Sequence, residues 1–340
     1  MLVSTTGDLG DAVFLLNILK NLPNGPHSLG LRPSTTTKAK TPEQAQRMFD
    51  LLKPLVDSQS YISEFRLIDP STTVDWRSED FRSLRHYTPG ETLMQAHLNH
   101  YCVVKQTAIK IDGSTAWLKA DPSPVSKGRV VINRTGRYRN STFPWYKVVD
   151  HYKHHLMFIG LEHEWREFCG NYGYVDFQPT ENMLQVAELI AGSALFIGNQ
   201  SSAGAIAEGL KHPRIQETSL VFPDCIFPQA PGLPEVQHVA KGDVHLPAIG
   251  LRPAVTIPSS EPTFREMDIS RVPPGRWQYP GEKPSNTFNG LALTIARRDG
   301  VSREQARQMV YEFQCARLPD FFAAEDHHLI RFKIAKQKAG

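Results

Sequence analysis

The sequence is poor in most of the features that announce a function. It has 4 cysteines in 340 residues, at positions 102, 169, 225 and 315, and none forms a CxxC pair. That spacing offers neither a cysteine zinc site nor a disulfide framework, so a cytoplasmic chain with reduced thiols is expected. No run of 18 apolar residues occurs, so no transmembrane helix and no integral membrane association are expected. The opening segment MLVSTTGDLGD lacks a basic stretch followed by an apolar one and does not read as a secretory signal. The net charge of +3 is too small by itself to argue for a nucleic-acid partner. No internal repeat of about 20–50 residues is visible.

Proline is the residue in excess: 25 in all, 13 of them between Pro213 and Pro284, against a typical share of ~5%. At about 150 residues per domain, the length predicts two domains and a remainder. Short apolar segments alternate with amphipathic segments of about ten residues, which predicts an α/β fold with parallel sheets covered by helices. Strands are expected at 2–5, 27–32, 65–69, 129–133, 155–160, 194–198 and 214–217. Helices are expected at 12–21, from Pro42, at 91–104, 144–152 and 162–169, from a Thr180 cap to a Gly192 stop, and at 203–210. Thr41 and Gln44 have the spacing of a capping box. Residues 121–127 (DPSPVSK) read as a linker, giving domains at 1–125 and 126–225. Residues 226–340 read as a proline-rich connection and a helical tail, with helices at 289–298 and from Ser302.

Two strand-to-helix turns carry the chemistry. The first, Gly7-Asp8-Leu9-Gly10-Asp11, places two carboxylates at a helix N-terminus, where they repel a phosphate. It also lacks the third glycine and the acid after the second strand that a dinucleotide fingerprint needs. Asp11 suits a general base at such a turn; Asp8 or Asp11 suits equally a helix N-cap. The second turn, Gly198-Asn199-Gln200-Ser201-Ser202-Ala203-Gly204, opens a helix of small residues. Free amides, a helix dipole and small side chains let a diphosphate approach the backbone, although packing alone also explains small residues there. Between the two lies a basic loop, Asn133-Arg134-Thr135 followed by Arg137 and Arg139. It reads either as a phosphate contact or as a solvated surface run. His151, His154 and His155 have no acid or cysteine at metal spacing, so no metal is expected. Trp145 and Trp165 read as core, Trp277 as a lining residue on the acceptor side, and His327 and His328 as surface.

The segment GDLGDAVFLLNILKNL resembles the opening of ADP-heptose:lipopolysaccharide heptosyltransferases. Residues 195–213 are similar to the donor signature of that family: a strand, Gly, a polar residue, an acid, Ser/Thr, Gly and an Ala-rich helix ending before Pro. MFIGLEHEWREFC and MLQVAELIAGSALFIGN stand where that family has its intervening elements. The resemblance covers about residues 1–25 and 129–218. It implies the GT-B architecture, two Rossmann-like domains facing a cleft, and inverting transfer of a sugar from a nucleotide-sugar to a hydroxyl acceptor such as a glycan, with no metal or other cofactor. Carried over by motif, Asp11 is the base, with Asp8 and Gly10 beside it. Asn133, Arg134, Thr135, Arg137, Arg139 and residues 198–204 contact the donor. Three positions depart from the family pattern: Gln200 replaces the acid, Ser202 the glycine and Ala205 a histidine. Glu208 is then an alternative carboxylate for ribose hydroxyls, or a solvated face residue. The basic tail (Arg331, Lys333, Lys336, Lys338) and the arginine loop raise a second reading, a phage-type DNA glycosyltransferase acting on hydroxymethylated bases. The departures raise a third, a non-catalytic nucleotide-sugar or glycan-binding protein.

Overall fold

The computed structural model describes residues 1–6, 8–33, 40–82, 92–111, 113–219, 225–227, 236–240, 244–249, 266–267, 288–301, 305–306, 309–310 and 330–331. Gly7, Trp277, His327, His328, Ser302 and the tail bases after Arg331 lie outside the described residues. The chain is α/β with two parallel sheets. Packing divides it into two compact units, residues 1–143 with 178–250 and residues 144–177 with 251–340.

The first unit contains the four-stranded sheet β3-β2-β1-β4, made of β1 (Leu2–Thr5), β2 (His27–Leu31), β3 (Ile62–Leu67) and β4 (Trp76–Arg77). All its pairings are parallel, with Leu2 opposite Ser28 and Val3 opposite Trp76. Helix α1 (Leu9–Asn21) follows β1 and buries every residue from Ala12 to Leu19, as its unbroken apolar run requires. Helix α2 (Pro42–Asp57) starts with the expected capping box: Gln44 N donates to Thr41 Oγ1 (3.3 Å) and Thr41 N to Gln44 Oε1 (3.2 Å). Helix α3 (Leu93–Lys105) is capped by Thr92.

The same unit holds strands β5 (Val130–Asn133), β8 (Leu195–Asn199), β9 (Arg214–Glu217) and β10 (Val236–Val239), in the order β10-β9-β8-β5 and all parallel. Helices α6 (Met183–Gly192) and α7 (Ser202–Gly209) also belong here. Helix α6 differs from expectation at both ends. Its cap is Asn182, whose side chain accepts from Gln185 N at 3.1 Å, rather than Thr180. Gly192 is its last residue rather than the stop; a Cβ there would stand 2.2 Å from the Ser123 carbonyl oxygen.

The expected boundary at 125/126 separates β1–β4 from the later strands. The compact units do not follow the sheets, because α1 packs on α7 and α2 on α6. The connecting segment is wedged there. Trp117 is 1% exposed; its indole Nε1 donates to Val13 O of α1 at 3.0 Å. The Trp117 and Leu118 amides donate to Gly209 O of α7 at 2.9 and 3.0 Å.

The second unit contains α4 (Trp145–Tyr152), β6 (Leu156–Ile159), α5 (Glu162–Tyr172) and, through Phe177, β7 (Asp176–Gln178). It also contains α8 (Phe288–Asp299) and an antiparallel pair, β11 (Glu266–Met267) with β12 (Ile330–Arg331). Trp145 is fully buried, edge-on to Phe168 at 5.1 Å. Trp165 is half-buried, stacks on Phe177 and donates to Val175 O at 2.8 Å. Both tryptophans pack within the fold. Burial pushes the Cys169 thiol up to about 12. Among the described residues no helix is long and apolar enough to cross a membrane.

Candidate functional site

In each parallel sheet of the first unit, sequence order breaks once: β1 lies beside β4, and β5 beside β8. Open parallel sheets place ligands outside the carboxyl ends of their strands, at such breaks. Both turns singled out in the sequence lie there.

At the β5/β8 break the structure joins the two loops. Asn199, fully buried at the end of β8, holds the loop after β5 through its side chain. Its Oδ1 accepts from Thr135 N at 3.2 Å; its Nδ2 donates to Thr135 O at 3.1 Å and Arg137 O at 2.5 Å. Ser201 Oγ donates to Asn133 Oδ1 at 2.9 Å and accepts from Gly204 N at 3.5 Å, capping α7. Glycine at 198 is required by this approach, since a Cβ would stand 2.8 Å from Asn133 O and 2.6 Å from the Phe196 ring. Asn133, Thr135, Arg137, Gly198, Asn199, Ser201 and Gly204 are thus brought together, with Ser202 and Ala203 as the first residues of α7.

The basic loop is divided in its roles. Arg134 is buried and forks onto Glu217 at the end of β9, Nε to Oε2 at 2.8 Å and Nη2 to Oε1 at 2.9 Å. Arg137 is exposed, its guanidinium 4.7 Å over the Tyr138 ring and bonded to the Tyr138 hydroxyl. Arg139 is half-buried, with Nε donating to Thr135 O at 2.9 Å. The solvated-surface reading therefore fits Arg137 alone. Tyr138, between these two arginines, has φ +56°, in the left-handed region.

Gln200 and Glu208 face inward. Gln200 is buried and accepts the Ser219 amide at 2.7 Å. Glu208 is buried and pairs with both Arg214 and Lys211, so it is not a solvated face residue. Burial lowers the Arg214 pKa, against the opposing pull of Glu208.

The β1/β4 break has the opposite charge. Asp8 stands at the N-cap position of α1 but makes no capping hydrogen bond with its side chain, and Asp11 is in the first turn. Asp8, Gly10 and Asp11 are all half-buried. Beside them, Arg32, after β2, pairs with Glu79, after β4, and Ser4 Oγ donates to Glu79 Oε1 at 3.0 Å. His151 and His154 are exposed and His155 half-buried. Among the described residues no group of three or more His, Cys, Asp or Glu is placed to hold a metal ion.

Two residues at these sites escaped the sequence reading, Asn140 and Glu217, as did the wedged Trp117 of the connecting segment. Asn140 Nδ2 donates to Thr218 O at 2.9 Å and Ala240 O at 2.8 Å, while its Oδ1 accepts from Thr142 N at 3.0 Å. The Asn-x-Thr spacing was a usable turn signal. An acid ending an otherwise buried strand, as Glu217 does, was another.

No family model matches the chain, and no curated protein matches its sequence. Several solved structures are similar to it. E. coli heptosyltransferase WaaC with ADP shares 12% identity over 63% of this chain and 86% of its own, with a TM-score of 0.40. The glycosyl transferase family 9 protein from Veillonella parvula shares 10% over 63% and 79%, with a TM-score of 0.42. E. coli ADP-heptose lps heptosyltransferase II shares 12% over 63% and 83%, with a TM-score of 0.36. At this distance the likeness assigns no activity and no residue roles.

Proposed function

We propose that this chain is an inverting glycosyltransferase of GT-B architecture, transferring a sugar from a nucleotide-sugar to a hydroxyl acceptor. The observation that carries the reading is the stitching of the loops after β5 and β8 into one cradle at a break in sheet order, with Asn199 holding Thr135 and Arg137. A diphosphate fits this chemistry: charge-assisted bonds from Arg137 and Arg139, and the amide end of α7. Asn133, Thr135, Gly198, Asn199, Ser201, Ser202, Ala203 and Gly204 shape the floor. Arg134 and Gln200 brace the adjoining segments through Glu217 and the Ser219 amide.

Asp11 serves as the base. It takes the proton of the acceptor hydroxyl, whose oxygen attacks the anomeric carbon opposite the leaving group. The bond from that carbon to the diphosphate oxygen breaks, and the nucleoside diphosphate departs with the electron pair. The arginines and α7 stabilise that departing charge, where preorganised donors contribute most. The motif resemblance at residues 1–25 and 129–218 supports the same assignment. The proline-rich segment and the tail would supply acceptor contacts.

A thermal-shift panel of ADP-, UDP-, GDP- and CMP-sugars tests the reading. A donor at 100 times its dissociation constant adds about 2.7 kcal/mol of stability. A flat response to every nucleotide removes the proposal.

A further inference from the structure

The loop between Arg134 and Asn140 is closed at its base by one carboxylate. Glu217 receives both nitrogens of the Arg134 fork, at 2.8 and 2.9 Å, and the Asn140 backbone amide on Oε1 at 2.8 Å. The two loop ends, six residues apart, thus meet on a single side chain that is 0% exposed. The strut crosses from β5 to β9 over the end of β8, the strand between them. From below, the fully buried Asn199 fixes the loop interior through Thr135 and Arg137. Asn140 Nδ2 ties the far end to the carbonyls of Thr218 and Ala240. The crown carrying Arg137, Tyr138 and Arg139 is held at both ends and through the Arg137 carbonyl, and it includes a left-handed residue that a loose loop would not keep.

We infer that Glu217 is a positioning residue that fixes the crown of this loop, and that Arg134 serves the loop rather than a ligand. The inference deepens the donor reading and rests on it only for the identity of what Arg137 and Arg139 contact. A cation on a flexible loop loses ordering entropy each time it binds; a stapled loop has lost it on folding. Only charge at the ends of fixed side chains matches a diphosphate in one geometry.

The test uses the full chain and two readouts. The first is amide hydrogen exchange over residues 135–140 without ligand; the second is calorimetric binding of ADP and of inorganic pyrophosphate. Glu217→Gln keeps an acceptor for Asn140 but removes the charge facing Arg134. It should speed exchange over 135–140 at least tenfold and weaken pyrophosphate at least tenfold. Because a lone buried cation can unfold the protein, a second variant, Arg134→Met with Glu217→Leu, removes both charges together. Such replacement of a buried pair is commonly tolerated. It should melt within a few degrees of the wild type and still show both changes. Wild-type exchange in the folded double variant overturns the inference, whatever the ligands do. Faster exchange with unchanged pyrophosphate affinity also overturns it, since the fixed crown would then serve no anion. Faster exchange in the double variant together with no wild-type binding of either probe removes the donor reading and leaves the strut standing.

Discussion

The two breaks in sheet order share a plan and differ in charge. Each is spanned by an Arg–Glu pair crossing over a middle strand: Arg32 to Glu79 over β1, and Arg134 to Glu217 over β8. The turn after β1 carries the carboxylates Asp8 and Asp11; the loops after β5 and β8 carry amides, hydroxyls, Arg137 and Arg139. The topology builds two crevices, and the residues at each turn decide what each will accept. An acid crevice is suited to taking a proton, and a basic one to holding a departing diphosphate. That complementarity is the division of labour that sugar transfer requires.

The largest effect that tests this comparison is chemical. Asp11→Asn should lower transfer by about 10²–10⁴-fold, the usual contribution of a positioned base, and leave ADP affinity unchanged. Asp8→Asn should cost less than about tenfold if Asp11 is the base. Transfer rates under saturating donor decide it, and equal losses in the two variants would erase the distinction between them.

The next effect concerns the struts. Glu79→Ala leaves Arg32 facing its place alone, and breaking a buried pair in this way costs about 3–5 kcal/mol. The loss should appear in urea unfolding, while pyrophosphate affinity in the folded fraction stays at the wild-type value. Reduced pyrophosphate binding there would mean that the two crevices do not divide the work as their charges imply.

The basic crevice should respond to removal of its cations. Arg137→Ala should weaken ADP by about tenfold or more, matching the ~1.5–3 kcal/mol of a charge-assisted hydrogen bond, with a flatter dependence on salt. Arg137→Lys should recover part of this loss, because a point charge replaces a planar fork. Calorimetry at two ionic strengths gives both quantities.

Much of this was legible along the chain because it is local. The buried run of α1, the capping box of α2 and the four buried residues of β5 follow from periodicity and cap chemistry. The two-residue β4 has no periodicity to read, and β10 lies inside the proline-rich stretch. The division of the arginine loop was not legible either. Arg134, Arg137 and Arg139 are equivalent as sequence, and only Glu217, 83 residues away, distinguishes the first. Glu208 shows the same limit, since its partner Arg214 lies on the next strand and draws it inward.

The smallest effect is a pH dependence seated in the sheet of the basic crevice, where His212 is shifted furthest; burial lowers His27, in the other sheet, in the same direction. His212 follows α7; its Nε2 is 2.9 Å from Ser193 Oγ, and burial with nearby Arg214 lowers its pKa to about 4. The unfolded chain takes up this proton near pH 6.5, so between about 6.5 and 4 it binds more protons than the folded one. Stability therefore rises with pH across that window and falls as acid is added. A separation of this size corresponds to at most about 3 kcal/mol. His238, also lowered by burial, adds in the same direction. His212→Gln should flatten the acid limb of stability between pH 6.5 and 4 and leave stability above pH 7 nearly unchanged. Urea midpoints at half-unit pH intervals measure it; an unchanged acid limb would show that the proton is taken up elsewhere in the fold.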